Sequence, residues 1–389
     1  MGEPLLYWRQ TKWPEAASRA RIVMRTDVQL PETPTVDRPK ARELADYATP
    51  FIFNCWYIAA LGEQIDRSLT GRMILGRSIL LYRREDGTAV ALRNRCPHRS
   101  FPLSHGRLVG DDVECGYHGM TYAPDGRCVL IPSQETIPAT FRVRSYPLVE
   151  RGPFLWIWMG DADAADPSEI PAFPVMSDAG SLHVEGYFYV KGNYVGLHEN
   201  VLDLTHAPYL HGVDAATMKF AAIPAHVEVD GYVVKVSRVE PDSELPPHRA
   251  AVLGRNPRVD RKAESFFLTP GVHLSYSYYY EANAPAGAEP LSRFEIVHAF
   301  TPETHTSTHY FWANATHEIA ADREEMARVM RARSTKVYSQ DVDAAQWVED
   351  LRESEADEEF REVSVASDRA GIAMRRILVE LAMKEKGEG

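Results

Sequence analysis

The sequence is short of cysteine, of net positive charge and of long apolar runs. Four cysteines in 389 residues cannot build a secreted disulfide framework, so a reducing, cytoplasmic setting is expected. A formal net charge of −12 argues against nucleic acid or an anionic membrane surface as main partner. No stretch is apolar over enough length to span a bilayer, and no apolar core follows the mildly basic start as a leader would require. A membrane-surface role for that start (Arg9, Lys12, Arg19, Arg21, Arg25) lacks the apolar face it would need. There is also no G-x-G-x-x-G, no internal repeat and no low-complexity tract.

What is present is an ordinary globular composition, 44% hydrophobic and 25% charged, in a chain long enough for two domains. Residues 1–50 carry Pro31, Pro34, Pro39 and Pro50 and read as an N-terminal extension laid over the surface. Residues 51–160 are β-like: "FIFNCWYIAAL", "RMILGRSILLYRRE" and "TAVALRN" alternate or run apolar, and Asp86-Gly87 and Asp125-Gly126 sit where hairpins turn. "FLWIWMG" (154–160) closes this small sandwich or barrel, and the acidic, Pro-rich "DADAADPSEIPAFP" (161–174) marks a boundary. In 161–389, "HVEGYFYV" predicts a strand and 194–211 a helix. "HVEVDGYVVKVSRVE", "HLSYSYYY", "RFEIVHAF" and "THYFWANATH" predict more strands, with mostly helix beyond Glu318. The second domain is therefore α+β, an antiparallel sheet with C-terminal helices.

Two constellations carry chemistry. The first is C-x-H-x16-C-x2-H: Cys96, His98, Cys115 and His118. Zinc is a rival, since Cys2His2 is a common zinc set, but zinc loops usually pair two cysteines two to four residues apart. Here each loop supplies one Cys and one His. That suits a [2Fe–2S] cluster with thiolates on one iron and imidazoles on the other, the Rieske type, whose neutral ligands raise the potential. Pro97, Gly116 and Gly119 fit the tight backbone of two clamping loops. Cys55 and Cys128 lie in apolar text and read as inert core thiols.

The second is "ENVLDLTHAPYLH", N-x2-D-x2-H-x4-H: Asn200, Asp203, His206 and His211. A lone helical His is usually packed or exposed, but two with an Asp and an Asn in a redox chain suggest a metal site. Positions five apart on an ideal helix differ by roughly 140°, so shared ligation requires the helix to break or re-wind. Pro208 predicts that change at 207–208. Two imidazoles and one carboxylate on one face of an iron leave positions open for O2. In the C-terminal helical text, Asp341 and Asp343 both offer a carboxylate, and either can equally be a solvated helix charge.

At these residues the chain resembles the oxygenase component (α subunit) of Rieske non-haem iron oxygenases, and within them the vanillate O-demethylase and dicamba monooxygenase type. "NCWYIAA", "NRCPHR…CGYHG", "GNY…ENVLDLTHAPYLH", "HAFTPETHTSTHYFW" and the late Asp follow in order over roughly residues 50–350. The resemblance implies an all-β Rieske domain (51–160) and a helix-grip-like catalytic domain (161–389). It makes Cys96, Cys115, His98 and His118 the cluster ligands and His206, His211 and Asp341 the ligands of a mononuclear Fe(II). Asp203 becomes the carboxylate bridging a cluster histidine of one subunit to an iron histidine of the next, in a homotrimer. Asn200 stands near the iron, and His298 faces the substrate. Two departures stand out: Met120 follows "YHG" where Trp or Leu is common, and the first fifty residues are longer than usual and expected to wrap the trimer.

The expected activity is O2-dependent O- or N-demethylation of a small aromatic substrate, with formaldehyde release. Electrons come from NAD(P)H through a separate ferredoxin or flavin reductase, because the chain has no nucleotide fingerprint or second cysteine set. Tyr276 and Tyr278, alternating along "HLSYSYYY", are expected to wall an apolar pocket or simply to fill core. Two alternatives stay open. Ring dihydroxylation is disfavoured by length, and a Rieske electron carrier without oxygenase activity would need no second metal.

Overall fold

The computed structural model describes residues 44–212, 218–285, 287–318, 322–356 and 362–387. The first 43 residues of the expected N-terminal extension lie outside them. The described part of that extension lies over the C-terminal helices: the Ala45 amide donates to the Arg375 carbonyl (3.3 Å) and the Tyr47 hydroxyl to Glu349 (2.7 Å).

Ten short strands build the N-terminal half: β1 (Trp56–Leu61), β2 (Thr70–Ile74), β3 (Arg77–Arg83), β4 (Ala89–Arg93), β5 (Arg107–Val109), β6 (Asp112–Glu114), β7 (Thr121–Tyr122), β8 (Cys128–Leu130), β9 (Leu148–Arg151) and β10 (Phe154–Trp158). They form three antiparallel sheets, β1-β10-β9, β2-β3-β4 and β5-β6-β7-β8. Both expected hairpin glycines have positive φ, Gly87 at 84° and Gly126 at 79°. At Gly126 a Cβ would also stand 1.9 Å from the Val143 carbonyl oxygen, so the turn closes only on glycine.

The C-terminal half is a seven-stranded antiparallel sheet backed by helices. Its strands are β11 (Leu182–Val190), β12 (His226–Asp230), β13 (Val233–Glu244), β14 (Arg258–Thr269), β15 (Val272–Glu281), β16 (Ser292–Thr304) and β17 (Ser307–Thr316), in the order β11-β17-β16-β15-β14-β13-β12. The helices are α1 (Tyr194–Leu202), α2 (Ala207–Leu210), α3 (Met218–Ala222), α4 (Pro247–Leu253), α5 (Arg323–Ser354) and α6 (Arg369–Lys386). Asp322 caps α5 by accepting from the Glu325 amide (2.9 Å), and Gly387 ends α6 at φ +72°.

Strand β14 is absent from the sequence reading because Arg258, Asp260, Arg261, Lys262 and Glu264 hide its pattern. Two of those charges are buried as a pair, Lys262 Nζ lying 3.0 Å from Glu264 Oε1, which lets a charged strand sit between β13 and β15.

Each face of the large sheet has its own partner. Leu274, Tyr276, Val297, Phe311 and Ala313 pack on Trp56, Ile58, Trp156 and Trp158 of the N-terminal half. Phe267, Phe300, Tyr310 and Trp312 meet Val201 of α1, Tyr338 and Val342 of α5, and Met374 of α6. The connection after β10 is pinned rather than loose: Ile170, Phe173 and Val175 are buried in the first of these cores, and Trp56 Nε1 donates to the Asp166 carbonyl (2.8 Å).

Candidate metal centres

The two cluster loops are built alike. In each, the Cys amide donates to the residue five on (Cys96 to Phe101, 2.9 Å; Cys115 to Met120, 2.8 Å) and its carbonyl accepts from the residue four on. That fourth residue has positive φ in both, Ser100 at 60° and Gly119 at 72°. Both cysteines are buried at 1% exposure, and burial together with the neighbouring Cys96 thiol raises the Cys115 pKa. The rings of His98 and His118 lie 4.6 Å apart, and His98 Nδ1 is buried without a protein partner. A buried ring nitrogen with no partner is costly unless a metal takes it, so this donor set fits a Rieske cluster. Tyr122, which sequence reasoning missed, lays its hydroxyl 3.1 Å from Cys96 Sγ, where it can donate to a thiolate. Met120 is buried in the core beneath the loops. Cys55 and Cys128 are buried and free; burial pushes the Cys55 thiol up to about 12, as expected of a packed thiol.

The second site forms where α1 ends. The chain leaves helix at Asp203 (φ −113°, ψ 94°), makes a 3₁₀ turn over Leu204–His206 and re-enters α-helix as α2. The helix thus ends at Asp203, earlier than expected, and re-winds into α-helix at Ala207, within the expected 207–208. Pro208 sits in the first turn of α2, where its missing N–H costs nothing. His206 and His211 converge, with ring centres 5.1 Å apart.

Opposite them stands Asp341 of α5. His206 Nε2 is 3.4 Å and His211 Nε2 3.2 Å from its Oδ1, and the three donor atoms lie within 4.8 Å of one another. Asp343 is exposed, so the choice between the two carboxylates is settled by which side of α5 meets the sheet. His206 Nδ1 lies 2.6 Å from the Asp203 carbonyl and His211 Nδ1 3.0 Å from Gln340 Oε1. Oxygens that only accept place the ring proton on each Nδ1 and leave the Nε2 lone pairs aimed at a carboxylate oxygen. Lone pairs facing one another are satisfied by a cation between them, and donors about 2.1 Å from one ion at near right angles stand about 3 Å apart. Gln340, invisible to motif reasoning, is adjacent in sequence to the ligand and fixes the His211 tautomer. Asn200 Nδ2 donates to Asp341 Oδ1 at 3.0 Å.

Asp203 is half-buried. Burial would raise its pKa, but bonds from the Thr205 amide (3.0 Å) and Ser367, with Arg238 at 3.5 Å, outweigh this and hold it below the usual carboxylate range.

His298 lies on the helix-facing side of β16, its Nδ1 2.7 Å from the Tyr310 hydroxyl and its ring 5.2 Å from that of Tyr338. Burial lowers its pKa to about 4, so it is neutral at working pH, and it is close enough to Asp341 to feel that charge. Tyr276 and Tyr278 lie on the other side of the sheet. Tyr276 pairs in register with Glu295, to which its hydroxyl donates (3.1 Å), and both tyrosines pack toward the N-terminal half. They fill core and do not wall an iron pocket. The correction is one of register: His273, the residue directly opposite His298, differs from both by an odd number of positions.

A cluster clamp and a two-histidine, one-carboxylate site in one chain define a Rieske non-haem iron oxygenase. Profiles for the Rieske [2Fe-2S] domain and for the Vanillate O-demethylase oxygenase C-terminal domain match residues 55–147 and 190–384. The chain belongs to this family, as an oxygenase α subunit of the vanillate O-demethylase and dicamba monooxygenase type. The oxygenase component of dicamba O-demethylase from Stenotrophomonas maltophilia is 33% identical over 340 residues, 86% of this chain and 99% of its own. The iron–sulfur subunit of the toluene-4-sulfonate monooxygenase system of Comamonas testosteroni is 33% identical over 349 residues, 87% and 99% of the two chains. The crystal structure of dicamba monooxygenase with non-haem iron and dicamba has a TM-score of 0.75 at 30% identity, covering 87% of this chain and 100% of that one. The protein therefore carries a Rieske cluster and a mononuclear iron site at His206, His211 and Asp341. No helix among the described residues is long and apolar enough to cross a membrane.

Proposed function

We propose that this chain is the terminal oxygenase of a demethylase, taking electrons from a separate NAD(P)H-dependent ferredoxin or flavin reductase and acting on an O- or N-methyl group of a small aromatic substrate. The observation that carries this is the pair of imidazole lone pairs aimed at Asp341, in a chain that matches demethylases along most of its length. The cluster supplies single electrons and the mononuclear iron activates O2 beside the substrate. Hydroxylation of the methyl carbon makes a hemiacetal or carbinolamine, which collapses to formaldehyde and the free phenol or amine.

The protein's own groups hold this arrangement. Cys96, Cys115, His98 and His118 are proposed to clamp the cluster. Asn200 fixes the rotation of the Asp341 carboxylate, and Asp203 and Gln340 fix the two ligand tautomers. With the Tyr310 hydroxyl donating to His298 Nδ1, His298 Nε2 carries the proton and donates to a substrate oxygen. Asp203, ionised and half-buried, is proposed to accept a cluster histidine of a neighbouring subunit in a ring of three. The exposure of Tyr117 (59%) next to His118 and of Tyr209 (73%) on α2, between His206 and His211, supports surfaces that meet there. Residues 51–160 are the cluster domain in this reading, 161–389 the iron domain, and 1–50 an extension around the ring.

The test is purification under low oxygen, an iron and sulfide count, and turnover with a surrogate reductase on methoxy-aromatics, N-methyl compounds and unsubstituted aromatics. Formaldehyde formed in step with O2 uptake is the expected result. A diol in its place would make the protein a ring dioxygenase. No iron beyond the cluster, with no turnover, would make it an electron carrier.

A further inference from the structure

Helices α1 and α5 meet at the iron site, and a second polar tie joins them at their far ends. Glu349 of α5 is 2% exposed. One of its oxygens, Oε2, accepts both from the Asn193 amide (3.2 Å) and from the Tyr47 hydroxyl (2.7 Å). Asn193 is the cap of α1, its side chain accepting from the Val195 amide (2.8 Å). At the iron end, Asn200 of α1 donates to Asp341 of α5. Asn193 and Asn200 are seven positions apart and Asp341 and Glu349 eight, about 10 Å and 12 Å of helical rise. The spans match, so the two helices run antiparallel between a tie at each end.

Tyr47 lies outside both family domains, since the first residue matched by either profile is 55. It is nevertheless held firmly. Arg352, three residues beyond Glu349, donates to its hydroxyl (2.7 Å) and places a guanidinium 5.1 Å from its ring centre. Two residues earlier, Ala45 is fully buried and its amide donates to the Arg375 carbonyl of α6. The Arg375 guanidinium in turn pairs with Glu199 of α1 (2.5 Å). Residues 45–47 thus join α5 to α6 and close around α1. Lys191 pairs with Asp350 and Glu353 (2.8 Å each) at the same end, but those groups are exposed and screened by water. The buried Glu349 is not, and a buried carboxylate that loses a donor is costly.

We propose that Tyr47 is a positioning residue for the mononuclear iron. By donating to Glu349 it fixes α1 against α5, and so fixes Asp341 relative to the chain from Asn200 to His211. Donors on separate elements hold an ion well only while their spacing is kept to about 0.5 Å. One tie leaves a pivot that the second removes. The proposal concerns the iron site and not the reaction, so it stands or falls apart from the demethylase reading.

The test is Tyr47→Phe in the full-length, cluster-loaded protein, a change that removes one oxygen and keeps the ring beside Arg352. Chelator competition should show iron held about threefold to tenfold more weakly, a smaller loss than when a group touching a ligand is removed. The EPR signal of the ferrous site with nitric oxide bound should change in rhombicity, which a loss of fold stability alone does not move, while the cluster's own signal stays. Glu349→Asp keeps the charge but shortens its reach to both donors, and should shift iron affinity and signal in the same direction. Wild-type iron affinity and an unchanged nitric oxide signal in Tyr47→Phe would overturn the proposal, even with a lowered melting temperature. If that variant does not fold, the same comparison in Glu349→Asp decides.

Discussion

The side-chain amide of Asn200 donates to Oδ1 of Asp341 at 3.0 Å, tying the last turn of α1 to the middle of α5 across the iron site. The same oxygen faces both histidine Nε2 atoms, so Asn200 sets how the carboxylate presents itself. Asp341→Ala should remove about one iron per chain while the cluster's visible absorbance stays. Asn200→Ala should weaken iron binding about 10- to 100-fold in a chelator competition. Asp343→Ala, at an exposed position, should change neither. Loss of iron in that variant would reassign the ligand.

Asp203→Asn is the sharpest probe of the proposed bridge. Asn still caps the turn at Thr205 and its backbone carbonyl still holds His206, so cluster and iron should both be retained. Turnover with a surrogate reductase should fall about 10- to 100-fold. Wild-type turnover in the charge-less variant would end the bridging role.

Tyr122→Phe removes the hydroxyl 3.1 Å from Cys96 Sγ. A hydrogen bond to sulfur favours the more negative, reduced cluster, so its loss should lower the midpoint potential. A bond worth about 1 kcal/mol corresponds to roughly 40 mV for one electron. Protein-film voltammetry reads the shift, and an unchanged or raised potential would contradict the assignment.

Two buried histidines away from the ligands make the fold acid-sensitive. Burial lowers His198 to about 3 and His309 to about 4. The unfolded chain takes up those protons first, near the ordinary value of about 6.5, so stability is intact above that pH and falls as pH drops toward 4. The slope is about 1.4 kcal/mol per unit for each histidine. His309 Nε2 lies 2.9 Å from the Met73 carbonyl, a link between the two halves, so its loss also loosens their contact. Denaturant midpoints at pH 7 and 5 should differ, with His309→Gln reducing the proton uptake by about one. Equal midpoints would show that these groups stay protonated or solvated in the native state.

The hairpin glycines, the two cluster loops and the order of the donor residues were legible because each is a local requirement of residue type. Other features were not. Charges masked β14, since only its neighbours show that Lys262 and Glu264 neutralise each other in the sheet. Pro208 drew attention as a breaker, yet a proline in a first turn is compatible with helix, and the capping aspartate five residues earlier makes the turn. Tyr122 and Gln340 act through contacts that no spacing announces.

The sequence by itself marked Cys96, His98, Cys115 and His118 and the pair His206 and His211 as candidate donors, because metal ligation favours particular atoms at short separations along the chain. It also determined that Tyr276 and Tyr278 share a face, because a strand repeats every two residues. Only the tertiary structure decided which face that is, since the register of β15 against β16 puts His298 on the helix side and the tyrosines against the N-terminal half. It likewise chose Asp341 over Asp343. Two residues turn a helix by about 200°, and burial of one side of α5 against the sheet places a single carboxylate opposite His206 and His211.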